Sequence, residues 1–297
     1  MSNNLRPTTF EDVIGQADVK ERLSIMIAGC KDGDVMPHTL LDGPPGLGKT
    51  TLSNAIANEL GVKIHTLNAA TIRNIKSIIP YLMSVERGSI VFIDEIHRLP
   101  TLVEEFLYPV MEDFRIDLMQ ENEDEGIDIP PFCLIGATTN GGSLTQPFYD
   151  RFVIKEHLQF YTPSELANLA RSNVKRMGLD ELSDEELLDI ARRSKGTPRV
   201  LNARLQWYKS YVQFHQRKDD IEAIFNKQGI DEYGFDVNDR KYIDVLQKKI
   251  GQPMGLKSIA TMCGISEDTI SNSIEPYMIR MGFVVRTPKG RVLGKIK

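Results

Sequence analysis

An α/β domain built on a parallel sheet, followed by a small all-α domain and a C-terminal winged helix, is the fold class this sequence predicts. Three observations carry it. The first is Gly43-Pro44-Pro45-Gly46-Leu47-Gly48-Lys49-Thr50, a complete G-x-x-x-x-G-K-[ST] phosphate-binding loop between a short apolar run (Leu40, Leu41) and a helical pattern. The second is a pair of apolar runs, residues 89–95 and 132–140, that are continuous rather than alternating and end in polar side chains. Strands of a parallel sheet, covered on both faces, have this texture. The third is a C-terminal segment of three short helical patterns followed by two strand-like runs joined by Thr287-Pro288-Lys289-Gly290.

Taken in order, residues 5–16 start extended because Pro7 blocks a helix, and a helix follows over residues 17–30. Residues 31–34 are a polar turn. In the phosphate loop, glycines allow backbone N–H groups to turn inward around an anion. Lys49 is placed to reach the β- and γ-phosphates and the Thr50 hydroxyl to ligate Mg²⁺. The helix over residues 51–60, stopped by Gly61, adds the positive end of its dipole. This is a nucleotide site. Residues 62–67 alternate as a second strand with Val62, Ile64 and Thr66 on one side, and residues 74–85 read as a helix with Pro80 awkwardly in its middle.

Asp94 and Glu95 end the apolar run at the carboxyl edge of its strand, where ligands of open α/β sheets gather. There Asp94 is suited to hold Mg²⁺ through water, and Glu95 to orient or deprotonate an attacking water. Paired with the phosphate loop, they predict a hydrolysis-competent ATPase. A helix is expected over residues 102–114, then an acid-rich hairpin or loop over 115–131, then the second buried strand. Thr139 or Asn140 at its end is placed to sense a γ-phosphate. Composition alone leaves Arg151 as a surface residue and Arg199 as an exposed cation.

From Thr162 the pattern is helical: residues 163–177, a second helix opened by the capping box Ser183-Asp184-Glu185-Glu186, and a third opened by Thr197-Pro198. A further short helix fits residues 219–226. Trp207, Tyr208, Tyr211 and Phe214 at helical spacing read as core rather than a base-stacking platform. Residues 239–250, 256–263 and 266–281 are the helices of the winged outline. Three domains are therefore expected, over residues 1–160, 161–231 and 232–297.

The net charge of −5 argues against a polyanionic partner until it is divided. Residues 240–297 carry eleven Lys and Arg against four Asp and Glu, a net +7, while the remainder is −12. Arg286, Lys289 and Arg291 put cations on the wing, suited to phosphates rather than to base edges. A partner-binding winged helix is the competing reading. Cys30, Cys133 and Cys263 are widely spaced and form neither a disulfide framework nor a zinc site, so a reducing compartment is expected. No apolar run is long enough to span a bilayer, and the first residues do not open a secretory signal, which leaves a cytoplasmic location by elimination.

With these residues in place, the chain resembles the RuvB family, the motor ATPases of bacterial Holliday-junction branch migration. The likeness runs from Leu5-Arg6-Pro7 and Ile14-Gly15-Gln16 through the loop as far as Thr51 and on to Phe92-Ile93-Asp94-Glu95-Ile96-His97-Arg98-Leu99. It continues in Leu134-Ile135-Gly136-Ala137-Thr138-Thr139, Gly196-Thr197-Pro198-Arg199, Glu275-Pro276-Tyr277 and Arg286-Thr287-Pro288-Lys289-Gly290-Arg291. It implies an AAA+ ATPase using ATP and Mg²⁺, assembled as a hexameric ring on duplex or junction DNA. Arg151 then matches an arginine finger that completes the neighbouring subunit's site, and Thr139 matches the first sensor. Arg199, beside Pro198 on the small domain, matches the second. Arg6 and Ile14 match the region near the adenine, and Arg286, Lys289 and Arg291 the DNA-contacting wing.

Three features depart from that family. The hairpin expected to dock on RuvA is short and acidic over residues 119–128. Tyr149 and Val153 stand beside the finger where Arg and Gly are usual, and the chain has little after the wing. Two functions compete: a ring-forming motor that moves junction DNA, and a loader or switch that places a partner on DNA without translocating. A DNA-binding module with a merely assembly-controlling ATP site is disfavoured by Glu95 and Arg151.

Overall fold

A computed structural model describes residues 7–30, 33–117 and 126–294. Its contacts divide into two compact units: one holds the described residues through Gly43 with Gly48–Gln159, the other Pro44–Leu47 with the described chain from Phe160.

The first unit contains α1 (Ala17–Gly29), β1 (Thr39–Asp42), α2 (Lys49–Leu60), β2 (Ile64–Asn68), α3 (Ile79–Leu82) and β3 (Ile90–Asp94). It continues with α4 (Thr101–Glu112), the hairpin strands β4 (Arg115–Asp117) and β5 (Gly126–Asp128), then β6 (Cys133–Thr138), α5 (Gln146–Asp150) and β7 (Ile154–His157). Five strands form one parallel sheet in the order β2-β3-β6-β1-β7. Leu40, Leu41, Val91, Phe92, Ile93, Leu134 and Ile135 are all buried, which is what their continuous apolar runs require. His38 ties this sheet to α4. Its Nδ1 accepts from Leu134 N–H at 2.8 Å, and its Nε2 lies 2.9 Å from Met111 O. Burial lowers its pKa, so the ring is neutral and donates through Nε2.

Two expectations need correction here. Strand β2 begins at Ile64, because Val62 N–H is used to close α2 on Ala57 O, and Thr66 is exposed while Leu67 is buried. The helix expected over 74–85 is instead a 3₁₀ turn (Ile75–Ser77) and the single turn α3. Pro80 sits in the first turn of α3, where its missing N–H has no helical partner to lose.

The second unit continues with α6 (Pro163–Arg176), α7 (Asp184–Arg192), α8 (Pro198–His215) and α9 (Ile221–Gln228). The capping box at Ser183 is present, and Thr162 makes another. Tyr208 and Tyr211 are buried and Trp207 donates to Ile224 O at 3.1 Å, as core residues, whereas Phe214 is 82% exposed and departs from that reading. Then come α10 (Val237–Gln247), α11 (Leu256–Cys263), α12 (Glu267–Thr269), α13 (Glu275–Arg280), β8 (Val284–Thr287) and β9 (Gly290–Leu293). A π-helical stretch, Ile270–Ile274, separates α12 from α13 in what the sequence presents as one helix. Pro276 follows it closely and supplies no N–H to the α-helical ladder. β8 and β9 pair antiparallel as the wing and pack with α10, α11 and α13 around Tyr242, Ile259, Ile270 and Met278.

Candidate active site and the wing

The strand order brings the predicted catalytic residues together. β6 lies between β1 and β3, so the chain after β1 (the phosphate loop), the end of β3 (Asp94 and Glu95) and the end of β6 (Thr139) emerge side by side. In register, Asp42 of β1 faces Thr138 of β6.

The loop has the backbone its motif requires. Gly43, Gly46 and Gly48 all have positive φ (140°, 84° and 100°), and a Cβ on Gly43 would lie 2.6 Å from Leu158 O. No other residue fits there. Lys49, 7% exposed, crosses the loop to donate to Gly43 O at 2.6 Å, and Thr50 occupies the first turn of α2 beside it. Pro44, Pro45, Leu47 and Thr51 complete the turn and the start of the helix. The loop thus brings together three glycines with positive φ, a buried ammonium and the N-terminus of α2. Those features fit a nucleotide's phosphates.

Glu95 has a left-handed backbone (φ 53°, ψ 43°), uncommon for a residue with a Cβ and costing about 1 kcal/mol. The turn is held from behind. Ile96 is fully buried, and it packs so close to β6 that a Cβ on Gly136 would lie 2.8 Å from its Cδ1. The Glu95 carboxylate accepts from the Thr139 hydroxyl at 3.1 Å, so the two residues predicted as water activator and first sensor are in contact. His97 also reaches Glu95, a connection that single motifs do not reveal. Its only signal in the sequence is its place two residues after the acidic pair. Asp94 stands at the strand end and accepts from Glu95 N–H at 3.1 Å.

Arg151 lies against its own unit: 4.2 Å over the Tyr108 ring, 3.2 Å from Glu112, and donating to Pro147 O at 2.7 Å. Its Nε is buried with no hydrogen bond among the described residues. Of the neighbouring departures, Tyr149 carries Lys155 over its ring at 4.6 Å, and Val153 is 73% exposed. In the second unit, Pro198 opens α8 and Arg199 is exposed in its first turn, with its N–H 3.4 Å from Gly46 O. Ile14 is half-buried in a segment fastened by Lys20, which donates to Phe10 O and Val13 O. Arg6 lies outside the described residues, as does most of the acidic hairpin over 119–128, whose stems β4 and β5 are paired.

Two of the wing cations have partners of their own. Arg286 and Arg291 are not two uncommitted cations. Glu275, fully buried, takes Arg286 Nε at 2.9 Å and Arg291 Nε at 2.8 Å, with the Tyr242 hydroxyl donating at 2.9 Å. Burial alone would raise the Glu275 pKa. The donors from Arg291, Arg286 and Tyr242 outweigh it and hold the carboxyl below its ordinary range. Arg291 is 18% exposed and built into the wing's base, Arg286 is half-exposed, and Lys289 is exposed at the turn with no ion pair among the described residues. A buried carboxylate needs such compensation, which is why a segment rich in cations spends two of them internally.

Comparison with known proteins agrees with this architecture along nearly the whole chain. Residues 5–158 match the family described as the Holliday junction DNA helicase RuvB P-loop domain, and residues 232–296 the RuvB C-terminal winged helix domain. The Holliday junction branch migration complex subunit RuvB of Rhodopirellula baltica is 42% identical over 302 aligned positions, covering 97% of this chain and 81% of that protein. The solved structure of the Thermotoga maritima RuvB Holliday junction branch migration motor superposes with a TM-score of 0.90 at 38% identity, covering 99% of this chain and 96% of that one. A substituted variant of the same Thermotoga protein gives 0.89 at 38% identity. A parallel sheet carrying the phosphate loop, a helical segment and a winged helix, matched by relatives at both ends, place this chain in the RuvB family of AAA+ P-loop ATPases.

Proposed function

We propose that the protein is an ATP-driven DNA motor of RuvB type, a hexameric ring on duplex DNA that promotes branch migration of Holliday junctions. The observation that carries this reading is the joint match of the P-loop domain and the winged helix to one family in a single chain, with Lys49, Asp94, Glu95 and Thr139 converging at one sheet edge. The three expected domains, residues 1–160, 161–231 and 232–297, divide the work into hydrolysis, lid and DNA contact.

ATP is the substrate. The loop's N–H groups and Lys49 bind its phosphates, Thr50 and Asp94 are the residues suited to hold Mg²⁺, and Ile14 with Arg6 lies toward the adenine. Bound Mg²⁺ would neutralise developing phosphate charge, with one hydroxyl and one carboxylate from the protein sufficing as ligands. Glu95 orients the attacking water and accepts its proton, while Thr139 and Arg199 report on the γ-phosphate. Arg151 completes the site of a neighbouring subunit, which is consistent with its position against Tyr108 and Glu112 rather than over its own loop. Lys289 and the outer edge of Arg286 meet DNA phosphates, and Arg291 orients Arg286 by sharing Glu275. A ring makes these few contacts multivalent.

A loader or switch that does not translocate is the second reading, favoured by the acidic, short hairpin where a RuvA-like partner is expected to dock. Branch migration on a synthetic four-way junction, with and without a RuvA protein, separates the two. The motor reading expects ATP-dependent migration in at least one arm. ATP hydrolysis with no migration in either arm would replace it with the loader.

A further inference from the structure

We propose that His97 is a positioning residue for hydrolysis, holding the Glu95 carboxylate and linking it to the end of β6. The proposal rests on the reading of Glu95 as the carboxylate that orients the attacking water. His97 Nε2 lies 3.4 Å from Glu95 Oε2, the same oxygen that accepts from the Thr139 hydroxyl. His97 Nδ1 lies 2.9 Å from Thr138 Oγ1. Thr138 Oγ1 in turn accepts from Asn140 N–H at 2.9 Å.

The tautomer follows from these neighbours. A lone pair on Nε2 facing a carboxylate oxygen would be repelled, so Nε2 carries the proton. Nδ1 is then an acceptor and the Thr138 hydroxyl donates to it, leaving that oxygen's lone pairs for Asn140 N–H. The Thr139 hydroxyl donates to Oε2 and His97 Nε2 stands 3.4 Å from the same oxygen, which leaves Oε1 as the edge of the carboxylate to which no hydrogen bond from the described residues is assigned.

The backbone enforces this. Glu95 in the left-handed region opens a 3₁₀ turn, Ile96–Arg98, with Arg98 N–H on Glu95 O at 2.8 Å, and buried Ile96 anchors it, so His97 returns toward the carboxylate. Only 18% of the His97 side chain and 30% of that of Glu95 is exposed, so water competes weakly for the contact. The end of β6 therefore reaches Glu95 by two routes, Thr139 directly and Thr138 through the imidazole. Movement of the β6 terminus would rotate the carboxylate, not merely release it.

The test compares His97→Ala and His97→Gln with the parent, each alone and in a Glu95→Gln background, by steady-state ATP hydrolysis, affinity for a fluorescent ATP analogue and thermal melting. A misplaced catalytic group costs up to about 100-fold, so His97→Ala is expected to lower kcat roughly 10- to 100-fold. KM and analogue affinity should stay within about twofold. His97→Gln should recover most of the rate, because its amide offers a donor toward Glu95 and an acceptor toward Thr138. In the Glu95→Gln background His97→Ala should add no further loss, as coupled residues do not act additively. Unchanged kcat in His97→Ala overturns the proposal. So does a rise in KM alone, a Gln variant as slow as the Ala variant, or a full multiplicative loss in the double variant. If Glu95→Gln itself turns over like the parent, the reading of Glu95 falls and takes this proposal with it.

Discussion

Glu95 and Glu275 are both acids that the sequence places beside a functional segment, and the protein treats them oppositely. Glu275 is fully buried and bound by two guanidinium groups and a phenol. Glu95 is partly exposed, carried on a strained backbone, and held on one oxygen by a hydroxyl and an imidazole. A carboxylate clamped by two full positive charges is a structural post, too well stabilised as an anion to trade protons. One held by a single hydroxyl, with an imidazole beside it, can be turned. The difference is what the proposed roles require, one acid serving chemistry and the other architecture, although each lies in a motif of the same family.

The largest effects test the Glu95 side of this comparison. Lys49→Ala removes a buried cation from the loop and should abolish measurable ATP binding in calorimetric titration, while Arg151→Ala should bind ATP normally. The same Arg151 variant should lose ~10³–10⁵-fold in turnover, the range of arginine fingers in phosphoryl transfer. ATP binding retained by Lys49→Ala would detach the loop from the site.

On the Glu275 side, Glu275→Ala leaves Arg286 and Arg291 facing each other across an emptied site. Because Arg286 is half in solvent, the expected cost is about 3 kcal/mol, at the lower end for a broken buried pair, seen as a lower melting temperature and weaker DNA binding together. ATP binding should not change. A variant that melts like the parent would make the post dispensable.

Acid separates the two regions further. His38 is buried neutral with a lowered pKa, so the unfolded chain binds a proton that the folded one refuses, and its contribution is present above the ordinary histidine value near 6.5 and lost as pH falls below it. Glu275 has a lowered pKa, so its contribution is present above the ordinary glutamate value near 4.3 and lost only as pH falls from there through its folded value. Calorimetric melts should thus show the sheet domain weakening first, as pH falls below about 6.5, and the winged helix only at pH values below about 4.3. The reverse order would contradict both assignments. The smallest effect is Lys289→Ala, which should flatten the salt dependence of DNA binding. The log–log slope should fall by up to about 0.9 for each DNA phosphate that the Lys289 ammonium no longer neutralises. An unchanged slope would put the DNA against other cations of the wing.

What was legible in the sequence was what neighbouring residues determine. The phosphate loop, the continuous runs of β3 and β6, and the capping boxes are local statements about backbone and burial, and each formed where its residues demanded. Pro80 was legible as a disturbance but not as the start of a new turn, because that depends on which residue the chain chooses as its first helical one. The bonds between His97 and Thr138 and between Glu275 and its arginines span 41, 11 and 16 positions, and no periodicity encodes them. A basic wing looks the same in sequence whether its cations face DNA or a buried acid.

In the proposed ring, each ATP site is completed by the next subunit's Arg151. Mixing Lys49→Ala, which keeps its finger but lacks a working loop, with Arg151→Ala, which keeps its loop but lacks the finger, tests it directly. In a ring assembled at random from equal amounts, about a quarter of the interfaces pair an intact loop with an intact finger. ATP turnover should therefore rise from near zero for either variant alone to a substantial fraction of the parent's. Turnover in the mixture no greater than the average of the two separate variants would contradict a shared site.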